Sequence, residues 1–154
     1  MIGRGVHTPL IASGPELTAA QLHDILRLRC DVFVVEQKAA YLDVDGLDLL
    51  PGTSHLWFES EDGVESYLRV LSEPDDVQRI GRVCTAGKAR GRGLAARLME
   101  AALVEHGDTD YVLDAQTYVQ EFYARFGFTP HGEEFVDDDG IPHITMWRRA
   151  EPSR

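Results

Sequence analysis

The spacing of apolar and polar positions along this chain changes between helical and strand-like, and this change divides the chain into elements. From residue 18 onward, leucine, isoleucine, valine and phenylalanine recur broadly on one helical face, and Thr18 is an acceptable N-cap. This pattern predicts a first helix over residues 18–37, which ends before an acidic segment rich in turn residues. Two β-prone runs at residues 55–59 and 64–71, joined through Asp62-Gly63, predict a hairpin.

The second half of the chain predicts a strand, a glycine-rich loop, a helix, a strand and a short helix in succession. The predicted strand covers residues 79–85, the helix runs from about 92 to 106, the next strand covers 111–115 and the short helix covers 119–126. A final pair of strands is predicted at residues 132–136 and 141–147. Hairpins on both sides of a strand–loop–helix–strand–helix unit indicate a mixed α/β (α+β) single sheet, not a doubly wound parallel one.

Composition and charge restrict the class of protein further. A chain of 154 residues with 44% apolar and 27% charged residues fits one globular domain, which we assign to residues 1–150, followed by a short tail at 151–154. The net charge of −11 argues against a nucleic acid partner, because phosphate binding needs clustered lysine and arginine. The charge is compatible with a cationic or amine-bearing substrate, although an acidic surface also serves solubility alone.

The sequence carries no sign of a membrane segment, an export signal or a metal centre. Residues 1–5 lead into no apolar signal segment, and no apolar run approaches the length of a bilayer span, so we expect a cytoplasmic protein without membrane contact. Cys30 and Cys84 lie far apart in apolar stretches, which favours two buried, reduced thiols. Neither cysteine belongs to a Cys/His spacing typical of metal ligands, and we therefore expect no metal.

The glycine-rich segment between the third strand and the second helix is the most informative for function. Its glycines allow backbone N–H groups to converge on a ligand without Cβ atoms in the way. A helix that begins near Arg92 adds free N–H donors and a partial positive charge. Lys88, Arg90 and Arg92 cluster here in an otherwise acidic chain, and the pattern therefore predicts an anion site suited to a diphosphate.

Two familiar phosphate-binding loops fit this segment poorly. The Walker-A pattern fails because the Gly-Lys pair at 87–88 is followed by alanine, which leaves no hydroxyl to hold magnesium. The dinucleotide pattern is formally met by Gly91, Gly93 and Ala96, with Asp114 about twenty residues further on. However, the strand ends several residues before the first glycine, and too little sequence remains for a dinucleotide-binding sheet.

A third pattern, Gln/Arg-x-x-Gly-x-Gly/Ala, is filled by Arg90, Gly93 and Ala95. At this point the chain resembles the GNAT superfamily of N-acyltransferases, in which this motif binds the pyrophosphate of coenzyme A. A second motif follows at residues 122–128, Phe-Tyr-Ala-Arg-Phe-Gly-Phe, which is similar to the aromatic signature of the family. Further similar stretches at residues 26–37, 41–46 and 139–146 narrow the resemblance to the ElaA-type branch.

The resemblance implies a fold, a co-substrate and a reaction. The implied fold is GNAT-like, a single mixed, mostly antiparallel sheet flanked by helices. The implied reaction transfers an acetyl or other short acyl group from acetyl-CoA, or a related acyl-CoA, to a primary amine of a small molecule or peptide within a ternary complex. The residues implied for coenzyme binding are Val83, Cys84 and Thr85 on the strand, Arg90, Gly91, Arg92, Gly93, Leu94 and Ala95 in the loop, and Gln116. A homodimer is also compatible with the resemblance.

The resemblance further suggests which residues carry the chemistry. Tyr123 occupies the position at which family enzymes hold a general acid near the coenzyme sulfur, with a core tyrosine as the alternative. Glu36 and His143 are the candidate bases for the amine, although each could be a structural residue and a water relay is a further alternative. Cys84 is expected to be a strand residue beside the coenzyme, because no His/Asn pattern around it supports a nucleophile.

The acidic segments allow two interpretations. Asp43, Asp45 and Asp48 are expected to form a solvated loop, with attraction of a cationic acceptor as the alternative. The run at residues 137–139 is expected to be only a turn.

Two other functions stay open at this point. A non-catalytic acyl-CoA sensor or interaction module would bind the coenzyme without releasing thiol. A dinucleotide-binding enzyme would bind NAD(H) and no coenzyme A.

Overall fold

The computed structural model describes residues 8–152, so the predictions for residues 1–5 and for the last two tail residues lie outside the described part. The helices and strands follow in the order β1 (Leu10–Ser13), α1 (Ala19–Arg29), β2 (Ser54–Ser60), β3 (Gly63–Glu73), β4 (Val77–Thr85), α2 (Leu94–His106), β5 (Asp110–Gln116), α3 (Gln120–Ala124), β6 (Thr129–Pro130), β7 (Phe135–Val136) and β8 (Pro142–Arg148). None of the helices in this range has the length and apolar character that a bilayer span requires.

All strands of the described chain belong to one sheet. Its order is β1-β2-β3-β4-β5-β8-β6, and β7 also pairs with β8. Every pairing is antiparallel except that of β4 with β5. The predicted mixed, mostly antiparallel single sheet is therefore confirmed, although the pattern did not predict β1, whose four residues are too short a run to stand out.

The parallel pair β4 and β5 separates soon after it begins. Only Val77–Arg79 of β4 pair with Asp110–Val112 of β5, although the strands continue to Thr85 and Gln116. A bulge in β4 accompanies the separation: Arg82 has a positive φ of 55°, and the register with β3 shifts at this point. Because a bulge bends its strand away from a neighbour, the two strands diverge and leave a gap between their carboxyl ends.

The helices cover opposite faces of the sheet. Leu98, Met99 and Ala102 of α2 pack with one set of inward side chains from β2 to β5. Ile25 and Leu28 of α1 pack with the other set, which includes Trp57, Tyr67 and Cys84. Successive residues of a strand point to opposite faces, so the sheet is buried on both sides where the glycine-rich loop joins it.

The first helix begins as predicted and changes type near its end. The Thr18 hydroxyl accepts a hydrogen bond from the Gln21 amide (3.1 Å), and the Gln21 side chain accepts one from the Thr18 amide (3.0 Å), which completes a capping box. After Arg29 the chain continues as a π-helical segment, Cys30–Glu36, before it leaves the helix at Gln37. The predicted helix over residues 18–37 is thus found, but its last part is more widely wound.

The predicted final strand pair is shorter than expected. Only Phe135 and Val136 of the predicted strand at residues 132–136 pair with β8. Gly132 has a left-handed conformation, with φ of 88°, which an extended strand cannot contain, so the strand begins later than predicted. The turn at residues 137–140 is confirmed, since the Gly140 amide donates to the Asp137 carbonyl at 2.8 Å.

The acidic loop after α1 is not the solvated segment that the sequence suggested. Asp43 and Asp48 are buried, and their carboxylates bind Arg29, which is itself fully buried, at 2.8 and 2.6 Å. Further ion pairs join the same loop to Arg69 of β3 and to Arg82 at the bulge of β4. The prediction was wrong for Asp43 and Asp48 because the three arginines come from distant parts of the chain, and buried carboxylates are stable only when they are paired in this way. Asp45 is exposed, as predicted, but it too is paired with an arginine.

The prediction for the cysteines is only half correct. Both thiols are free, and Cys84 is buried, but Cys30 is exposed because it follows α1 on the solvent side.

Candidate active site

The gap between β4 and β5 opens into a groove of about 690 Å³. A smaller pocket of about 200 Å³ adjoins it at the glycine-rich loop. The groove is lined by nine of the predicted site residues, namely Glu36, Val83, Cys84, Thr85, Arg90, Ala95, Gln116, Tyr123 and His143. The loop pocket adds Gly91, Gly93 and Leu94, and only Arg92 lines neither cavity. The fold thus brings together almost all of the predicted site.

Several residues that line the loop pocket have backbone amides for which residues 8–152 provide no acceptor. Gly91 and Gly93 have φ of 80° and 72°, a conformation that costs other residues free energy. The first main-chain bond of α2 runs from the Arg97 amide to the Gly93 carbonyl, and within residues 8–152 no acceptor pairs with the amides of 91–95. The free N–H groups at the beginning of a thirteen-residue helix form a site for an anion.

Each cation of the loop is already paired with a carboxylate. Lys88 contacts Asp62 at 3.1 Å, and Arg92 contacts Glu65 at 2.8 Å. Arg90 is bound to Glu36 through both guanidinium Nη atoms. The sequence suggested three cations free for an anion, whereas the structure makes the backbone amides the main unpaired donors.

The strand β4 forms one wall of the groove. Its ladder to β5 ends at Arg79, so backbone groups of β4 beyond this point have no partner from β5 among the described residues. The thiol of Cys84 lies buried within this wall, and burial raises the pKa of Cys84. The thiol is therefore protonated, which agrees with a strand residue and gives it no nucleophilic character.

Tyr123 of α3 lines the same groove from the β5 side. Its ring stacks on Phe122, with centroids 5.0 Å apart, and meets Phe128 edge-on at 6.4 Å. The hydroxyl makes no hydrogen bond to any residue between 8 and 152, and burial raises the pKa of Tyr123. A phenol that stays protonated and has no other partner can donate a proton to a group in the groove.

The two candidate bases differ in their surroundings. The carboxylate of Glu36 is bound by Arg90, and this hydrogen bond lowers the pKa of Glu36. His143 is buried, and its Nδ1 lies 2.7 Å from the Ile141 carbonyl, to which a neutral imidazole must donate. The lone pair is then on Nε2, which lies 3.7 Å from an oxygen of Asp139.

Gln116 lies at the end of β5, where it faces Gln37, the residue after the π-helical segment. Its side chain exchanges hydrogen bonds with Gln37 at 3.3 and 3.5 Å and accepts another from the Tyr118 hydroxyl. The side chain therefore contributes to a polar bridge over the groove.

Comparison with known proteins decides the family. A sequence profile of the acetyltransferase (GNAT) domain matches residues 43–149. The chain belongs to this family. A UPF0039 protein of Mycobacterium tuberculosis is 48% identical over 137 residues, 86% of this chain and 87% of the relative. Escherichia coli ElaA is 41% identical over 141 residues, 88% of this chain and 92% of ElaA.

Solved structures agree with the GNAT assignment. An acyl-CoA N-acyltransferase from Pseudomonas aeruginosa superimposes with a TM-score of 0.85 at 40% identity, covering 92% of this chain and 99% of that one. The E. coli ElaA structure also gives 0.85, at 36% identity, with coverage of 94% and 100%. The predicted ElaA-type resemblance is confirmed. The family and fold are those of an acyl-CoA-dependent acyltransferase with a coenzyme A-type co-substrate and an amine acceptor.

Within the GNAT fold, the end of the groove away from the loop contains residues to which sequence reasoning gave no role. Tyr41 lines it, and its hydroxyl donates to Asp43 at 2.8 Å, while Asp139 lines the opposite side. Arg82, at the bulge, also lines this end of the groove. Tyr41 and Asp139 belong to the stretches at 41–46 and 139–146 that resemble the ElaA-type branch, but nothing in those stretches indicated that the two residues line the same groove. Among residues 8–152, no group of three or more acidic, histidine or cysteine side chains could hold a metal.

Proposed function

We propose that this protein is an N-acyltransferase that moves an acetyl or other short acyl group from acyl-CoA to a primary amine, by direct attack within a ternary complex. The observation that carries this proposal is the continuity of the groove. It begins at the unpaired amides of the loop, follows the exposed edge of β4 and contains the unbonded hydroxyl of Tyr123. A long coenzyme with a phosphate group at one end and a thioester at the other matches this sequence of groups.

Each part of the groove suits one part of the coenzyme. The amides of Gly91, Gly93 and Ala95, aided by the dipole of α2, would hold the pyrophosphate. The open edge of β4 at residues 83–85 would pair with the amide groups of pantetheine. The thioester would then lie beyond this edge in the deeper part of the groove, near Tyr123.

The reaction is a direct aminolysis of the thioester. The neutral amine nitrogen attacks the carbonyl carbon, and the new oxyanion is stabilised by a backbone N–H of β4. As the C–S bond breaks, the Tyr123 hydroxyl gives its proton to the leaving thiolate. The proton lost from the attacking nitrogen passes to a base, and exchange with water restores both groups.

We assign the role of base to His143 rather than Glu36. Its Nδ1 is held by a backbone carbonyl, which leaves the Nε2 lone pair free to accept a proton. Asp139 lies close enough to stabilise the imidazolium that forms. The Glu36 carboxylate is a weaker base, since its pKa is lowered and both its oxygens bind Arg90.

We also propose that the acyl donor is acetyl-CoA and that the enzyme acts in the cytoplasm. The exposed, unpaired thiol of Cys30 supports a reducing compartment. The acceptor would be an amine of a small molecule or a peptide, since the open groove admits either.

A ligand series tests the proposed function. The thermal unfolding midpoint would be measured with acetyl-CoA, free coenzyme A and NADH at identical concentrations. Thiol release would then be assayed over a panel of amines. At a hundredfold excess over Kd, a ligand stabilises the fold by about 2.7 kcal/mol, and for a domain of this size the midpoint should rise by about 5 to 10 °C. No rise with either coenzyme A ligand would contradict the proposal, and binding without thiol release from any amine would indicate a sensor instead.

A further inference from the structure

The last residue of the π-helical segment and the residue after it contact the loop that follows β4 and the end of β5. Glu36 reaches the loop that follows β4, where it binds Arg90, and the next residue, Gln37, reaches Gln116 at the end of β5. All four side chains line the groove. The segment therefore spans the gap at the place where the coenzyme would enter the groove.

The guanidinium of Arg90 is held from two sides. Its Nε donates to the Thr85 carbonyl at 3.1 Å, and its two Nη atoms donate to the Glu36 oxygens at 2.9 and 2.5 Å. An arginine has five N–H donors in a fixed planar fork. Three of them are used here, so two remain for a further acceptor, and Arg90 also lines the loop pocket beside the unpaired amides.

We propose that Glu36 is a positioning residue for the coenzyme: it fixes the guanidinium of Arg90 so that the remaining N–H groups face the pyrophosphate. This inference rests on the proposed function, because it requires that the loop binds acyl-CoA. It gives Glu36 a role in the affinity for the coenzyme instead of a role in proton transfer.

The physical gain is a smaller loss of side-chain freedom on binding. A free arginine side chain loses rotamer entropy when it is fixed, whereas Arg90 is already ordered by Glu36 and Thr85 before the ligand arrives. The carboxylate also repels the pyrophosphate, but both its oxygens are engaged by the guanidinium, which compensates their charge at short range. Preorganisation therefore outweighs repulsion, and binding should be tighter with Glu36 than without it.

The π-helical winding is what places Glu36 at this position. In an α-helix each residue turns the chain by about 100°, so a change of winding rotates every following side chain about the helix axis. The amides of Gln37 and Ala39 bond five residues back, to Val32 and Val34. An α-helical continuation of α1 would therefore direct Glu36 away from Arg90. Wide turns of this type are frequent at functional sites.

The experiment compares coenzyme A binding by calorimetry for the wild type, Glu36→Ala, Arg90→Ala and the double variant. Removal of Glu36 should weaken binding about three- to tenfold, the range of one exposed ion pair or slightly more. The same change should have no further effect in the Arg90→Ala background. In steady state, KM for acyl-CoA should rise while kcat and its pH profile stay unchanged. Asp62→Ala is the matched control, because it removes a carboxylate that pairs with Lys88, a loop cation that lines neither cavity.

Three results would overturn the inference, and they differ from a failure of the proposed function. Tighter binding of Glu36→Ala would make the carboxylate a competitor of the pyrophosphate. Unchanged binding with a lower kcat and an altered pH profile would make Glu36 the base. If Glu36→Ala and Asp62→Ala change coenzyme A affinity equally, the effect of Glu36 comes only from its contribution to the net charge of the protein. If the wild type itself binds no coenzyme A, the proposed function fails together with this inference.

Discussion

At the scale of single residues, the proposed chemistry depends most directly on the hydroxyl of Tyr123. Tyr123→Phe keeps the ring contacts with Phe122 and Phe128 and removes only the proton donor. Turnover should fall by about 10²- to 10⁴-fold, while the affinity for acyl-CoA changes little. The measurement is thiol release under saturating coenzyme. Tyr111→Phe is the matched control, because the Tyr111 hydroxyl donates to the Gly107 carbonyl at 2.6 Å, outside the groove. Unchanged turnover in Tyr123→Phe would remove the residue from the mechanism.

The second residue-scale prediction concerns the base. If His143 accepts the amine proton, removal of its imidazole should slow acyl transfer. His143→Gln should therefore reduce kcat by about 10²- to 10⁴-fold, the usual contribution of a general base, with little change in the affinity for acyl-CoA, measured as thiol release under saturating coenzyme. His131→Gln serves as the control, since His131 is exposed and lines neither cavity. An unchanged kcat in His143→Gln would assign the proton transfer to another group or to water.

At the scale of the elements, the conformation of the loop is a further test of the anion site. Gly93→Ala places a side chain at φ of 72°, where no atom obstructs it but the backbone is strained. We expect a loss of about 1 to 2 kcal/mol in the free energy of unfolding, measured with urea, together with weaker coenzyme binding as the amides reorient.

Gly87→Ala is the matched control for this loop. Gly87 has open space around it and no positive φ, so both unfolding and binding should stay close to wild type. If both variants bind coenzyme A equally well, the orientation of the loop amides is not what holds the ligand.

The same scale shows why some elements could be predicted and others could not. The cap of α1, the beginning of α2 and the hairpin of β2 and β3 depend on residues close in sequence, such as Thr18 and Gln21 or Asp62 and Gly63. The bulge at Arg82 and the π-helical winding after Arg29 depend on partners far away, and no local pattern indicates them. The groove itself results from these two features. The sequence could therefore predict its residues but not its shape.

At the scale of the whole molecule, the buried ion network connects the first helix to the sheet. Arg29, Arg69 and Arg82 come from three elements and converge on one loop. Net charge and local composition predicted a solvated loop. Neither quantity contains information on which distant arginine pairs with which carboxylate. This network also lines the groove through Asp45, Arg69 and Arg82, so the stability of the fold and the shape of the groove depend on the same charges.

The last prediction follows from this network and concerns acid. His55 is fully buried, its Nε2–H donates to the Asp48 carbonyl at 2.8 Å, and Nδ1 accepts from the Tyr67 hydroxyl at 2.6 Å. Burial lowers the pKa of His55, and it lowers that of His106 as well. In the unfolded chain these imidazoles bind a proton near pH 6.5, whereas in the folded chain they do not, so the unfolded state gains protons as the pH falls.

The free energy of unfolding should therefore decrease as the pH is lowered from 7.5 to 5.5, by up to about 1.4 kcal/mol per pH unit for each imidazole. A second loss begins near pH 3.8, where the unfolded carboxylates titrate. Burial alone would raise the pKa of Asp45, but hydrogen bonds from Arg69 and the Leu47 amide lower it to about 2, so stability is lost down to that pH. Urea unfolding at a series of pH values measures both windows, and His106→Gln removes the share of that residue from the first. A free energy of unfolding that stays constant between pH 7.5 and 5.5 in His106→Gln would show that His55 accepts a proton within the folded core.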